Sequence, residues 1–287
     1  MSKVSSWRGR DLRGGHRSIH DDHPDFTGSD LRDQLISRHV PWEVTDPRRA
    51  TITIPSGRAT FSRADLRGTN MTSDWSQTSF VRANGAQSTW MTAVIQDCNF
   101  TAARLVESLW RGIHFKNCIF DEADLSRSKF ENVVFDTCAL RGSRLRRVEN
   151  PRQDTQDFTG LIFTDSYLAG SDFSGATSYN FTFTKCVAPS CDFSRVQFMR
   201  SDFRGSDLRR ATFDGAKLPG SKFRSAVLRG SSFVKADLTG AEFDGADLTD
   251  ADLTGATLRD WDMVGTILDG VRGVDAQRLA NIKSLSS

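Results

Sequence analysis

Ala236-Asp237-Leu238-Thr239-Gly240-Ala241-Glu242-Phe243-Asp244-Gly245-Ala246-Asp247-Leu248-Thr249-Asp250-Ala251-Asp252-Leu253-Thr254-Gly255 is one five-residue phrase said four times. Each phrase opens on alanine and carries a large apolar residue at its third place. Reading backwards, the beat continues through Phe233, Leu228, Phe223, Leu218, Phe213, Leu208, Phe203, Phe198 and Phe193 to Phe183, Phe173, Leu168, Phe163 and Phe158. Forwards it reaches Leu258, Met263 and Leu268. Two residues before each beat stands something small, as in Ser201, Ser206, Ala211, Ala216, Ser221, Ala226 and Ser231. A period of five fits neither the helix nor the flat strand. Short self-similarity at a fixed period predicts a solenoid, in which each unit stacks on its neighbours.

One large and one small residue per unit predict a square coil with one unit on each side, so that twenty residues complete a turn. Cys98, Cys118 and Cys138 lie twenty apart, as do Trp90 and Trp110. In such a coil these residues stack, one strand spacing of about 4.8 Å apart. From Phe203 to Leu248 the beat alternates Phe and Leu without error, which puts phenylalanine on two opposite sides and leucine on the other two. Gly205, Gly215, Gly220, Gly230, Gly240, Gly245 and Gly255 fall where corners require positive φ.

The phrases Ala236–Gly240, Ala246–Asp250 and Ala251–Gly255 resemble the A(D/N)LXX unit of pentapeptide-repeat proteins. The resemblance covers residues 61–270 and implies an all-β fold, a right-handed quadrilateral β-helix. Phe26, Leu31 and Ile36 read as an earlier fragment of the same pattern.

The beat has three registers: Phe61, Leu66 and Met71; then Trp75 and Phe80 through Leu145; then Phe158 through Leu268. Thirteen residues separate Leu145 from Phe158 where a continuous coil needs five, so eight leave the column. This divides the chain into an irregular, partly disordered N-terminal region (1–57), N-terminal coils (58–147), a projecting loop (148–157), C-terminal coils (158–270) and a C-terminal tail (271–287). Loops carried on rigid scaffolds are common binding elements, which singles out Asn150, Pro151, Arg152, Gln153, Asp154 and Thr155. An inert insertion is the alternative, since loops tolerate length cheaply. Around Ser178–Ala188 the beat residues are small and Phe181 takes a small position, which predicts local repacking. In the tail, Asp275 is placed to N-cap a short helix with Leu279, Ile282 and Leu285 along one side, as a cap, a dimer seam or both.

The composition excludes more than it selects. No apolar run approaches a membrane span, and the first ten residues lack the apolar stretch of a signal peptide. Five cysteines without a secretory signal point to free thiols in a reducing cytoplasm. His16, His20 and His23 have helical metal spacing, but Gly14, Gly15 and Pro24 oppose a helix there. The three spaced thiols read as small apolar filling rather than a metal site. His114 faces outward with no nucleophile beside it, and no phosphate-binding glycine loop occurs. Neither catalysis nor a metal or cofactor is expected.

Charge is the remaining signal. The net charge of +2 hides two segments of opposite sign. Residues 195–229 hold Arg195, Arg200, Arg204, Arg209, Arg210, Lys217, Lys222, Arg224 and Arg229 against three acids. Residues 237–262 hold Asp237, Glu242, Asp244, Asp247, Asp250, Asp252, Asp260 and Asp262 against Arg259. A further basic knot, Arg141, Arg144, Arg146 and Arg147, precedes the loop. The family resemblance implies a first function: some quinolone-resistance members dock on DNA gyrase or topoisomerase IV as imitations of DNA and dimerise through their C-terminal ends. Asp237, Glu242, Asp244, Asp247 and Asp252 would then form the acidic surface. The net basic charge and the aperiodic first sixty residues depart from that pattern. The alternatives are a general protein-interaction scaffold and, ranked last for want of exposed aromatics among the basic residues, direct nucleic-acid binding.

Overall fold

The computed structural model describes residues 6–13, 17–18, 24–32, 35–37, 51–53, 58–72, 74–150 and 160–275. The chain divides into two compact units, Met1–Ser143 and Arg144–Ser287. Every strand pairing within each unit is parallel, and no helix occurs among the described residues. Each unit is a β-solenoid whose rungs are mostly short bridges linked by tight turns.

The turn explains the period. In Phe213-Asp214-Gly215-Ala216, the Ala216 N–H donates to the Phe213 carbonyl at 3.0 Å, and Gly215 has φ +64°. Leu218-Pro219-Gly220-Ser221 repeats this with proline second and glycine third, the sequence signature of a type II turn. Where the third place is not glycine the backbone still adopts it: Arg195 and Arg210 both sit at φ +57°. Such left-handed residues cost roughly 1 kcal/mol each, and the stacked coils on either side must outweigh this. Long side chains at these corners lie over the glycine one coil on. The Cγ atoms of Arg195, Arg200 and Arg210 fall 3.7–3.8 Å from where a Cβ on Gly215, Gly220 and Gly230 would stand.

In the C-terminal unit the twenty-residue step is regular: Asp192, Thr212, Ser232, Asp252 and Arg272 form one ladder. The inward residues alternate as expected. Phe203 stacks on Phe223 at 4.9 Å, Phe213 on Phe233 at 4.7 Å, and Phe203 meets Phe213 edge-on at 5.7 Å. The small residues two places earlier are also buried, so large and small side chains interdigitate at interior density. Arg144 pairs with Asp172 and Glu149 with Thr177, steps of 28 residues where the following coils step by twenty. Glu149 and Asn150 stand in the ladder, Asn150 beside Ser178. At Gly160 a Cβ would stand 2.3 Å from the Asn180 carbonyl oxygen, so no other residue fits.

Phe181 repacks this region. It lies stacked 4.2 Å from Phe198, filling the space left by Ser178, which stands in the same ladder as Phe198.

In the N-terminal unit Trp90 stacks on Trp110 at 4.8 Å, within paired eight-residue strands Thr89–Gln96 and Leu109–Lys116. The register slip between Met71 and Trp75 marks a change of step, from nineteen (Met71 to Trp90) to twenty (Trp75 to Ile95). Coil residues reach further forward than the sequence boundary at residue 57. Ser6 pairs with Asp25 and Asp11 with Asp30, while Leu12, Phe26 and Leu31 are buried. A longer step from Asp25 to Thr60 encloses an additional strand, Thr51–Thr53, paired with Leu35–Ser37 and Arg17–Ser18. Steps of nineteen and thirty-five residues break a count of twenty, which is why this region reads as irregular. The tail beyond Asp275 lies outside the described residues, and with it Leu279, Ile282 and Leu285.

Candidate functional site

The C-terminal unit has four sides. Side one is lined inwardly by Phe183, Phe203, Phe223 and Phe243; side two by Ala188, Leu208, Leu228 and Leu248; side three by Phe173, Phe193, Phe213 and Phe233; side four by Phe198, Leu218 and Leu238. On each side the residues just before and after the inward one face out. Any functional site must be assembled from these outward rows and the corners between them.

Most outward aspartates are occupied. In the phrase Asp-Leu-Arg, the Asp207 carboxylate accepts the Arg209 backbone N–H at 3.2 Å and its Nε at 2.8 Å. Asp202 and Arg204 repeat this, as do Asp30 and Arg32. The arginine hydrogen bond holds the Asp207 carboxyl below the usual range. In Asp-Leu-Thr the threonine hydroxyl takes the arginine's place, at 2.7 Å from Asp237 to Thr239. These side chains close local turns, a known use of Asp beside backbone N–H groups.

Lys222-Phe223-Arg224 and Val227-Leu228-Arg229 lack the leading aspartate. Their arginines reach one coil on: Arg224 lies 3.0 Å from Glu242 and 2.7 Å from Asp244, and Arg229 lies 2.9 Å from Asp247. Arg272 holds Asp252 at 3.2 Å. The sequence-selected acidic surface is therefore compensated, with Glu242, Asp244, Asp247 and Asp252 paired to arginine and Asp237 turned onto Thr239. Desolvation, then the neighbouring Asp262, also pushes the Asp244 carboxyl above its ordinary range. The segregation by sign along the chain dissolves because residues twenty apart are neighbours in the coil.

A different segregation, by side, replaces it. Side three carries Asp172, Asp192, Asp214 and Asp252, with Arg144 and Arg272 at the two ends of the same ladder. Asp172 is held by Arg146, while Asp192 and Asp214 make no ion pair among the described residues. Side four carries Lys217 outward, Arg195 and Lys235 along one edge and Arg200 along the other, and none of these four makes an ion pair among the described residues. Its outward acids are Glu149 and Asp237, which leave the two middle coils without a carboxylate. At the corner between the two sides lies a groove of about 430 Å³ lined by Arg147, Ser174, Gly175, Asp192, Ser194, Arg195 and Asp214. That groove brings Asp192 and Asp214 together with Arg147 and Arg195.

The family model of pentapeptide repeats matches in eight copies, over residues 98–136, 191–230, 221–260 and 231–270. The chain is a pentapeptide-repeat protein. No curated protein matches it in sequence. Among solved structures it is similar to HetL, a pentapeptide repeat protein involved in heterocyst differentiation regulation in the cyanobacterium Nostoc sp. strain PCC 7120, at 21% identity over 74% of this chain and 87% of that one, TM-score 0.30. It is similar also to a pentapeptide repeat protein of the Arabidopsis thaliana thylakoid lumen, at 28% identity over 40% and 73%, TM-score 0.31. A third is QnrB1, a plasmid-mediated fluoroquinolone resistance protein, at 21% identity over 75% and 95%, TM-score 0.32.

In this pentapeptide-repeat protein the remaining sequence-selected residues fall as follows. Asn150 is nearly buried and paired with Ser178, while Pro151, Arg152, Gln153, Asp154 and Thr155 lie outside the described residues, as do His16, His20 and His23. Cys98, Cys118 and Cys138 stack inward as free thiols, and the Cys118 Sγ–H donates to the Ile95 carbonyl at 3.2 Å. Hydrogen bonding to the Cys118 sulfur, with burial, pushes the Cys98 thiol far up. His114 lies 3.7 Å from the Asp136 carboxylate, in a row with Val94 and Val134. No cluster with metal-binding composition occurs among the described residues, and no helix among them is long and apolar enough to cross a membrane.

The sequence reading missed the apolar row on side four. Tyr179 pairs with Met199, which is 52% exposed, and Pro219 follows one coil on. The twenty-residue spacing of Tyr179, Met199 and Pro219 was the available signal.

Proposed function

We propose that this pentapeptide-repeat protein is a non-catalytic docking scaffold, whose partner lies against a flat side of the C-terminal unit. The observation that carries this reading is the sorting of charge by side. A stacked ladder fixes these charges about 4.8 Å apart per coil, so recognition by pattern costs little ordering on binding. The partner in this reading is a protein.

The finer version makes that partner a type II topoisomerase, DNA gyrase or topoisomerase IV, held in place of DNA and protected from antibiotics that target it. Side three then supplies the imitation through Asp192 and Asp214, which make no ion pair among the described residues although Arg147 and Arg195 line the same groove. Duplex DNA carries one charge per about 1.7 Å, denser than this side, so the loop Asn150–Thr155 adds contacts and the Leu279, Ile282 and Leu285 end joins two copies in the cytoplasm.

The test is supercoiling by purified gyrase in the presence of a gyrase poison. The protein is expected to restore supercoiling, and an Asp192→Lys, Asp214→Lys variant is expected to lose at least tenfold in potency with unchanged Tm. No protection together with no gyrase binding removes the topoisomerase version.

A further inference from the structure

Side four has the opposite character and a separate consequence. Its middle coils present cations on both edges and between them: Arg195 and Arg200 in one coil, Lys217 in the next, Lys235 in the one after. Successive rungs place these about 4.8 Å apart along the side. Elsewhere in the unit Arg204, Arg209, Arg224 and Arg229 are neutralised by carboxylates, whereas these four make no ion pair among the described residues. Between the two charged edges runs the apolar row of Tyr179, Met199 and Pro219. The acids around it are Glu149 at one end, Asp237 and Asp260 at the other, Asp192 and Asp214 around one corner, and Asp202, held by Arg204, around the other.

A charged track beside an aromatic and apolar strip is the combination that grips a nucleic-acid strand with its bases unpaired, the backbone following the cations and the bases resting on the strip. A duplex keeps its bases stacked inside and meets a flat, five-residue-wide side at few phosphates. We propose that side four of the C-terminal unit binds single-stranded nucleic acid, with Arg195, Arg200, Lys217 and Lys235 on phosphates and Tyr179 and Met199 under the bases. This does not depend on the topoisomerase reading, which uses side three.

The experiment is fluorescence anisotropy of a labelled twenty-nucleotide oligothymidine with the full chain, titrated in salt. Four phosphates neutralised on a single strand give a slope of log K against log salt of about −3. Arg195→Glu with Lys217→Glu is expected to weaken binding more than tenfold, and Tyr179→Ala about tenfold. Arg204→Gln with Arg209→Gln, on sides one and two, should leave it within twofold. Each variant must keep the parent Tm; one that does not is replaced by Arg195→Gln with Lys217→Gln or Tyr179→Leu. The proposal is overturned by absence of binding, by equal losses from both arginine sets, by duplex binding as tight as the single strand with Tyr179→Ala silent, or by displacement with polyglutamate as effective as with unlabelled oligothymidine.

Discussion

Replacing Phe223 by alanine lowers the unfolding free energy of the C-terminal unit by about 3–5 kcal/mol. The ring is fully buried, stacked 4.9 Å from both Phe203 and Phe243 and edge-on to Phe213 and Phe233 at 5.8 Å. Truncation removes its transfer energy and leaves a cavity. The neighbouring coils cannot collapse into that space, because the backbone hydrogen bonds of Phe223 to Glu242 and of Phe203 to Lys222 fix their separation. Urea unfolding followed by far-ultraviolet circular dichroism measures the loss. A change below about 1 kcal/mol would place the side chain outside the column.

The second large effect is Cys118→Asp. The Cys118 sulfur lies within the column between Cys98 and Cys138, and its thiol faces the Ile95 and Lys116 carbonyls. A carboxylate there would be set against those two carbonyls with no cation beside it, and burying it without an ion partner costs about 3–5 kcal/mol at neutral pH. Burial raises the pKa of the introduced carboxyl above its unfolded value, so the folded state binds the proton more tightly and stability recovers as pH falls. The variant is therefore expected to regain part of its deficit between pH 7 and pH 5, whereas Cys118→Ser, which keeps a donor for Ile95, loses about 1 kcal/mol. An aspartate variant as stable as the parent at pH 7 would mean that the thiol faces solvent.

What the sequence discloses of this protein follows from which contacts repeat. The inward beat is periodic because every coil needs the same core, so Phe203 through Leu248, the stacked thiols and the Trp90–Trp110 pair were all readable by counting. The step of 28 residues from Glu149 to Thr177 was readable as a failure of the count. Where the step itself varies, as between Ser6 and Thr60, counting fails although burial of Phe26 and Leu31 shows coil packing. The outward rows obey no such rule. Arg224 and Asp244 belong to segments of opposite sign along the chain, yet meet at 2.7 Å. Charge read along the chain thus gave a basic segment and an acidic segment, where the middle coils set Asp192 and Asp214 on side three and the cations Arg195, Arg200 and Lys217 on side four. The same folding of distance hid Tyr179 beside Met199, and with it the surface that distinguishes side four.

Residues twenty apart are neighbours on one side of a square coil, and cysteine cross-linking measures that directly. Thr212 and Ser232 share a rung of side three, at a strand spacing of about 4.8 Å that a disulfide spans. In the full chain, Thr212→Cys with Ser232→Cys should oxidise rapidly to an intramolecular disulfide, and Thr212→Cys with Val227→Cys, fifteen residues apart and on different sides, should not. Rapid closure of the second pair with failure of the first would contradict the four-sided stacking on which every surface described above depends.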